Sequence, residues 1–106
     1  MNTFEGQQHS DRSVLTILLP QRFDVHEVRR FESLMDQMMA VGVQVVLDAS
    51  EVRFMDRTAI DALIDAKLRC MDLGGDLTLD EPSVAARAIL ELSGRFEAFD
   101  ASEAAA

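Results

Sequence analysis

A metal centre needs clustered histidine, cysteine or carboxylate ligands at fixed spacing. The two histidines of this chain, His9 and His26, stand apart from each other and from the single cysteine, Cys70. Both read as solvated polar residues. Serine nucleophiles need a histidine placed beside them, and no nucleophile-elbow motif is present. The five glycines are scattered, and no Gly-rich loop precedes a lysine, so there is no phosphate cradle. Asp48 ends an apolar strand, where open α/β sheets bind ligands. A phospho-aspartate receiver site there would also need an acidic cluster near the N-terminus and a late lysine. The only lysine, Lys67, falls mid-helix. Cys70 lies among apolar helix neighbours and reads as packing. These residues specify no catalytic set, no metal site and no cofactor, and they advertise no pocket for a small-molecule substrate.

What remains is the stretch Val45 to Ile64, VVLDASEVRFMDRTAIDALI. It reads as a buried strand, a tight loop and a helix N-terminus carrying Asp56, Arg57 and Thr58. Two readings share this geometry. In the structural one, Thr58 and Asp61 have capping-box spacing, and Asp56 can equally cap. In the functional one, a hydroxyl exposed at a helix N-terminus is reachable by a kinase. The helix dipole and free N–H groups would then hold the phosphate, and the new charge would alter a docking surface rather than the fold.

The elements that must position this stretch come from a chain of 106 residues, enough for one domain with a core that needs no staples. Apolar residues make up 48% and charged residues 27%, a globular composition. The net charge of −9 offers no basic stripe for nucleic acid, and an anionic membrane would repel it. It permits partners with basic surfaces. A lone cysteine fits a reducing compartment. The start, MNTFEGQQHSDRS, lacks a signal-peptide core, and no apolar run is long enough to span a bilayer, so a cytoplasmic location is expected. The core is expected over about residues 12–99, and the tail 100–106, DASEAAA, is expected to fray.

Strands alternate with helices. VLTILL (Val14 to Leu19) reads as a strand closed by Pro20. Asp24, with Glu27 three residues on, opens a first helix whose apolar face is Val28, Phe31, Leu34, Met35 and Met38, with Gly42 as C-cap. VQVVLD (Val43 to Asp48) reads as a strand buried on both faces. ASEVRFM reads as irregular. The second helix presents Ile60, Leu63, Ile64, Leu68 and Met71 to the core, pairs Asp65 with Arg69, and stops at Gly74 and Gly75. DLTL (Asp76 to Leu79) is a third strand. Pro82 opens a third helix with Ala85, Ala88, Ile89 and Leu92 inward and Gly94 as cap. Phe96 and Phe99 would pack back, from a short final strand. Thr3 to Gln8 would add an edge strand. Most of the methionines read as core. Strands joined through helices favour parallel pairing. The expected fold is therefore α/β: a small mixed, mostly parallel sheet covered by three or four helices.

A strand ending in Asp, then Ser, Val, Phe-Met-Asp, a hydroxyl residue and an amphipathic helix resembles STAS domains of the anti-sigma factor antagonist type. The resemblance extends to Gly74-Gly75, the strand DLTL, Pro82 to Val84, the first strand and Phe23-Asp24, or about residues 12–99. It implies a non-catalytic, bacterial signalling module acting in transcription regulation, which binds a serine/threonine kinase that doubles as an anti-sigma factor. The family loop reads Asp-Ser-Ser-Gly-Leu, and its second hydroxyl takes the phosphate. Carried over, Thr58 is the phosphoacceptor. Asp24, Asp56, Arg57, Ala59 and Ile60 form the partner-binding set. Arg57 stands where the family has a small serine, Ala59 where it has glycine, and Gln21-Arg22-Phe23-Asp24 where Gly-x-Leu-Asp is common. The alternative is a STAS subunit of a larger assembly, such as a lipid-transport ABC complex or a stress-signalling complex, without phosphoregulation.

Overall fold

The computed structural model describes the backbone of residues 5–8 and all of residues 14–99. His9 and the tail 100–106 lie outside the described residues.

Nine elements follow one another: β1 (Glu5–Gln8), β2 (Val14–Leu18), β3 (Arg22–Phe23), α1 (Val25–Met38), β4 (Gln44–Asp48), β5 (Phe54–Met55), α2 (Arg57–Asp72), β6 (Asp76–Asp80) and α3 (Val84–Leu92). The main sheet runs β1-β2-β4-β6. β1 is antiparallel to β2, and β2, β4 and β6 are mutually parallel. The mixed, mostly parallel α/β sheet is therefore present, with its N-terminal edge strand.

The register builds the core. Leu15 pairs with Val45, and Val45 with Leu77; Ile17 pairs with Leu47, and Leu47 with Leu79. All six are buried, because residues two apart share a face. The alternate row of Thr16, Val46 and Thr78 is only half-buried. Thus β4 is not buried on both faces as its apolar run implied. Against the buried rows pack Val28, Phe31 and Met35 of α1 and Leu63 of α2. Phe23 meets Phe31 edge to face, with ring centroids 5.5 Å apart.

Several local expectations shift. Gly42 does not cap α1, whose C-cap is Met39. It occupies a turn at φ +77, closed by Val43 N–H donating to the Ala40 carbonyl. α2 turns Ile60 and Leu63 inward as expected, but the rest of its buried face is Ala59, Ala62, Ala66 and Cys70, while Leu68 and Met71 are 56% and 52% exposed. Small side chains on this face let the helix axis approach the sheet. Arg69 pairs with Asp36 of α1 at 2.9 Å rather than with Asp65. Pro82 precedes the cap of α3, which is Ser83. The Ser83 hydroxyl donates to the Val52 carbonyl and its N–H to the Ala49 carbonyl. That anchorage rotates α3 so that Ala86 and Leu90 point inward and Leu92 outward. Phe99 is buried as expected, but residues 97–99 are helical rather than a strand.

Gly74 and Gly75 do end α2. Gly74 N–H donates to the Met71 carbonyl and Gly75 N–H to the Cys70 carbonyl, the Schellman pattern, with Gly74 at φ +82. A Cβ on Gly75 would stand 1.7 Å from the Val43 carbonyl oxygen, so only glycine fits this crossing.

Candidate functional site

The loops before α1 and α2 do not run free. β3 pairs in parallel with β5, setting Arg22 against Phe54 and Phe23 against Met55. The segment that read as irregular is half of this small sheet. Gln21 accepts at its carbonyl from the N–H groups of Arg53 and Phe54, and Phe23 from that of Asp56. Two helix N-termini are thereby brought side by side.

Asp56 joins them. It is the N-cap of α2, and its Oδ1 accepts from Ala59 N–H at 2.9 Å. The same oxygen accepts from the Thr58 hydroxyl at 2.6 Å. Oδ2 accepts from Val25 N–H, the first residue of α1, at 2.9 Å. One carboxylate thus satisfies orphan donors of two helices. Burial works against its charge, yet the Thr58 hydroxyl and the backbone N–H groups of Ala59, Val25 and Thr58 outweigh this and hold the carboxyl below its ordinary value of 3.8.

Asp24 caps α1 in the same manner, accepting at Oδ1 from His26 N–H and at Oδ2 from Arg22 Nε, each at 3.0 Å. Burial again opposes ionisation. The Arg22 and His26 contacts prevail and lower the carboxyl's pKa. Arg22 also lies over the Phe54 ring, 5.0 Å from its centroid.

The residues singled out from the sequence divide into two groups. Asp24, Asp56, Arg57 and Thr58 come together at this double helix end, with Arg57 and Thr58 exposed. Ala59 and Ile60 are buried, so they support the surface from beneath and present no side chain to a partner. Thr58 is not the cap and forms no capping box with Asp61; it stands second in α2 and donates to Asp56. Of the α2 N–H groups expected to be free for a phosphate, that of Ala59 already donates to Asp56, as does Val25 N–H of α1.

Sequence reasoning missed the β3–β5 link and the reach of Asp56 to α1. The only signal was the pair of Phe-containing dipeptides, Arg22-Phe23 and Phe54-Met55, each ahead of an aspartate. It also missed Lys67, whose Nζ is buried and donates to Asp76 Oδ1 at 3.0 Å and to the Leu77 carbonyl at 2.9 Å. Cys70 is fully buried, and burial first, then Asp76, raises its thiol pKa, so it is packing rather than a nucleophile. Among the described residues, no group of three or more His, Cys, Asp or Glu side chains is placed to hold a metal ion, and no helix is long and apolar enough to cross a membrane.

Among solved structures, the fold is similar to the Bacillus anti-sigma factor antagonist SpoIIAA in its unphosphorylated form. The TM-score is 0.71 at 19% identity, covering 87% of this chain and 81% of that one. It is also similar to protein TM1081 of Thermotoga maritima, with TM-score 0.75 at 15% identity over 93% and 78% of the two chains. The murine anion transporter Slc26a9 contains a similar unit: TM-score 0.64, 21% identity, 80% of this chain but 14% of that one. At these identities the likeness shows the fold alone. No curated protein sequence matches the chain. The family model described as "Mlab, STAS domain" matches residues 7–95. With that match spanning most of its length, the chain belongs to the STAS domain family.

Proposed function

We propose that this protein is a non-catalytic docking module, acting as a single STAS unit in the bacterial cytoplasm, whose partner binds the paired N-terminal ends of α1 and α2. The observation that carries the reading is the Thr58–Asp56–Val25 linkage. An exposed hydroxyl is tied to the carboxylate that joins two helices. The partner favoured by likeness to anti-sigma factor antagonists is a serine/threonine kinase that doubles as an anti-sigma factor, which would place the module in transcription control.

Phosphorylation of Thr58 by such a partner would move a phosphoryl group from its ATP to Oγ1, releasing the proton that now faces Asp56. The hydroxyl donor would become a dianion pressed against a carboxylate. Ala59 and Val25 already donate to Asp56, so the phosphate would compete with Asp56 for N–H groups rather than enter an empty cradle. The expected consequence is loss of the partner, driven by charge at the docking face.

A second reading is a STAS subunit held permanently in a larger assembly, such as a lipid-transport ABC complex or a stress-signalling complex. The half-exposed Leu68 and Met71 on α2 favour it, since exposed apolar groups of a small domain suit a constant neighbour.

The two separate by quantitative co-purification from the host with wild type, Thr58→Ala and Thr58→Glu, with mass spectrometry for phosphate on Thr58. Retention of an ATP-binding kinase by Thr58→Ala and its loss by Thr58→Glu supports the switch. Equal recovery of one set of subunits by all three proteins, with Thr58 unmodified, supports the assembly subunit.

A further inference from the structure

Parallel pairing fixes which way each backbone group of β6 points. Asp76 N–H donates to the Val43 carbonyl, and the Asp80 carbonyl accepts from Ala49 N–H. With β4 and β6 in register, Asp76, Thr78 and Asp80 therefore turn their backbone groups toward β4, and Leu77 and Leu79 turn theirs away. β6 stands last in the order β1-β2-β4-β6, so among the described residues no strand pairs with that outer side. Such an edge is a template for a strand of another chain. At Leu77, however, both outward groups are taken by side chains. Its N–H donates to Asp76 Oδ1 at 2.7 Å, and its carbonyl accepts from Lys67 Nζ at 2.9 Å. Lys67 Nζ also donates to the same Asp76 oxygen at 3.0 Å, which closes the ring. A neighbouring strand would offer Leu77 one acceptor and one donor; the carboxylate and the ammonium offer the same two. Lys67 is the one lysine of the chain, and it is buried. Lys67 and Asp76 border an open groove of about 690 Å³, walled by Ile64, Leu68, Met71 and Ala98. The ring thus faces space that a strand could enter.

We infer that Lys67 and Asp76 together stand in for a missing fifth strand, and that what they exclude is the β6 edge of a second copy of this chain. Antiparallel pairing of two β6 strands about Thr78 would set Leu77 of one copy against Leu79 of the other, each joined through its outward groups. With Leu77 occupied, neither pair can form. The same register would set Asp76 of one copy against Asp80 of the other, and these like charges add a second barrier. The inference stands apart from the docking reading: no residue near Thr58 takes part in it.

Two measurements test it. Amide exchange followed by NMR reads the Leu77 N–H directly, and Asp76→Ala is expected to speed it by at least about tenfold relative to wild type. Sedimentation in high salt, which screens Asp80, reads the edge. The double variant Lys67→Met/Asp76→Ala is expected to form a concentration-dependent dimer with new protection at Leu77 and Leu79. Wild type and Asp76→Asn, which keeps an acceptor for Leu77, are expected to stay monomeric. So is Val28→Ala, which truncates a core residue and leaves the ring intact. Equal Leu77 exchange in wild type and Asp76→Ala overturns the inference. So does a folded double variant that remains monomeric, a wild type that itself dimerises through β6, or a dimer formed equally by Val28→Ala. Should the double variant fail to fold, Asp76→Ala takes its place in sedimentation, with a weaker dimer expected and a monomer counting against the inference.

Discussion

The two ends of α2 are fixed by opposite means. At its C-terminal end, polar groups are consumed in closing the fold: Lys67 is buried between Asp76 and the Leu77 carbonyl, and Gly75 lets backbone lie against backbone at Val43. At its N-terminal end, polar groups are equally well bonded but sit at the surface, and three of the bonds there converge on one side chain, Asp56. A joint made of backbone contact has one arrangement. A joint made of side-chain hydrogen bonds can be rearranged by a single added charge. The proposed docking site lies at the N-terminal end, and graded substitutions along α2 test the contrast.

The largest effect is expected at the rigid end. Gly75→Ala forces a carbon into the Val43 carbonyl oxygen, and denaturant unfolding is expected to show a loss of at least about 3 kcal/mol. Lys67→Ala removes a buried stem and two hydrogen bonds, with an expected loss of about 2–3 kcal/mol. A double-mutant cycle with Asp76→Ala should return a coupling energy, because the two side chains touch.

At the adjustable end the expected losses are smaller. Asp56→Ala removes the cap of α2 and the acceptor for Val25, for about 1–2 kcal/mol. The carboxyl is more acidic folded than unfolded. Its contribution is therefore fully present above the unfolded value near 3.8 and is lost as pH falls through the folded value. In acid titrations of stability, Asp56→Asn is expected to flatten that part of the wild-type slope; an unchanged slope would remove Asp56 from the joint. Thr58→Ala is the mildest change, expected within about 1 kcal/mol of wild type, since it deletes an exposed hydroxyl and leaves Asp56 its backbone donors.

The strands of the main sheet, the three helices and the Gly74-Gly75 stop were legible because each rests on local rules: period-two burial in Leu15 and Ile17, a cap at Asp24, and a Schellman end at Gly74 and Gly75. Helix phase was less so. Leu68 and Leu92 are larger than the alanines beside them, and periodicity alone assigns them inward. Tertiary anchors, Lys67 on β6 and Ser83 on Val52, turned both helices otherwise. Of the site, Asp56, Arg57 and Thr58 stood out as residue types at a helix start. The bond from Val25 to Asp56 crosses 31 positions and rests on a two-residue strand pair, a contact that no local pattern encodes.

The most direct measurement is amide hydrogen exchange of the free protein against its complex with the recovered partner. Docking at the paired helix ends predicts new protection concentrated over residues 22–27 and 53–60, with residues 64–71 and β6 unchanged. Protection centred on residues 64–71 and β6, with the Thr58 loop unaffected, would contradict the account and move the interface to the exposed side of α2.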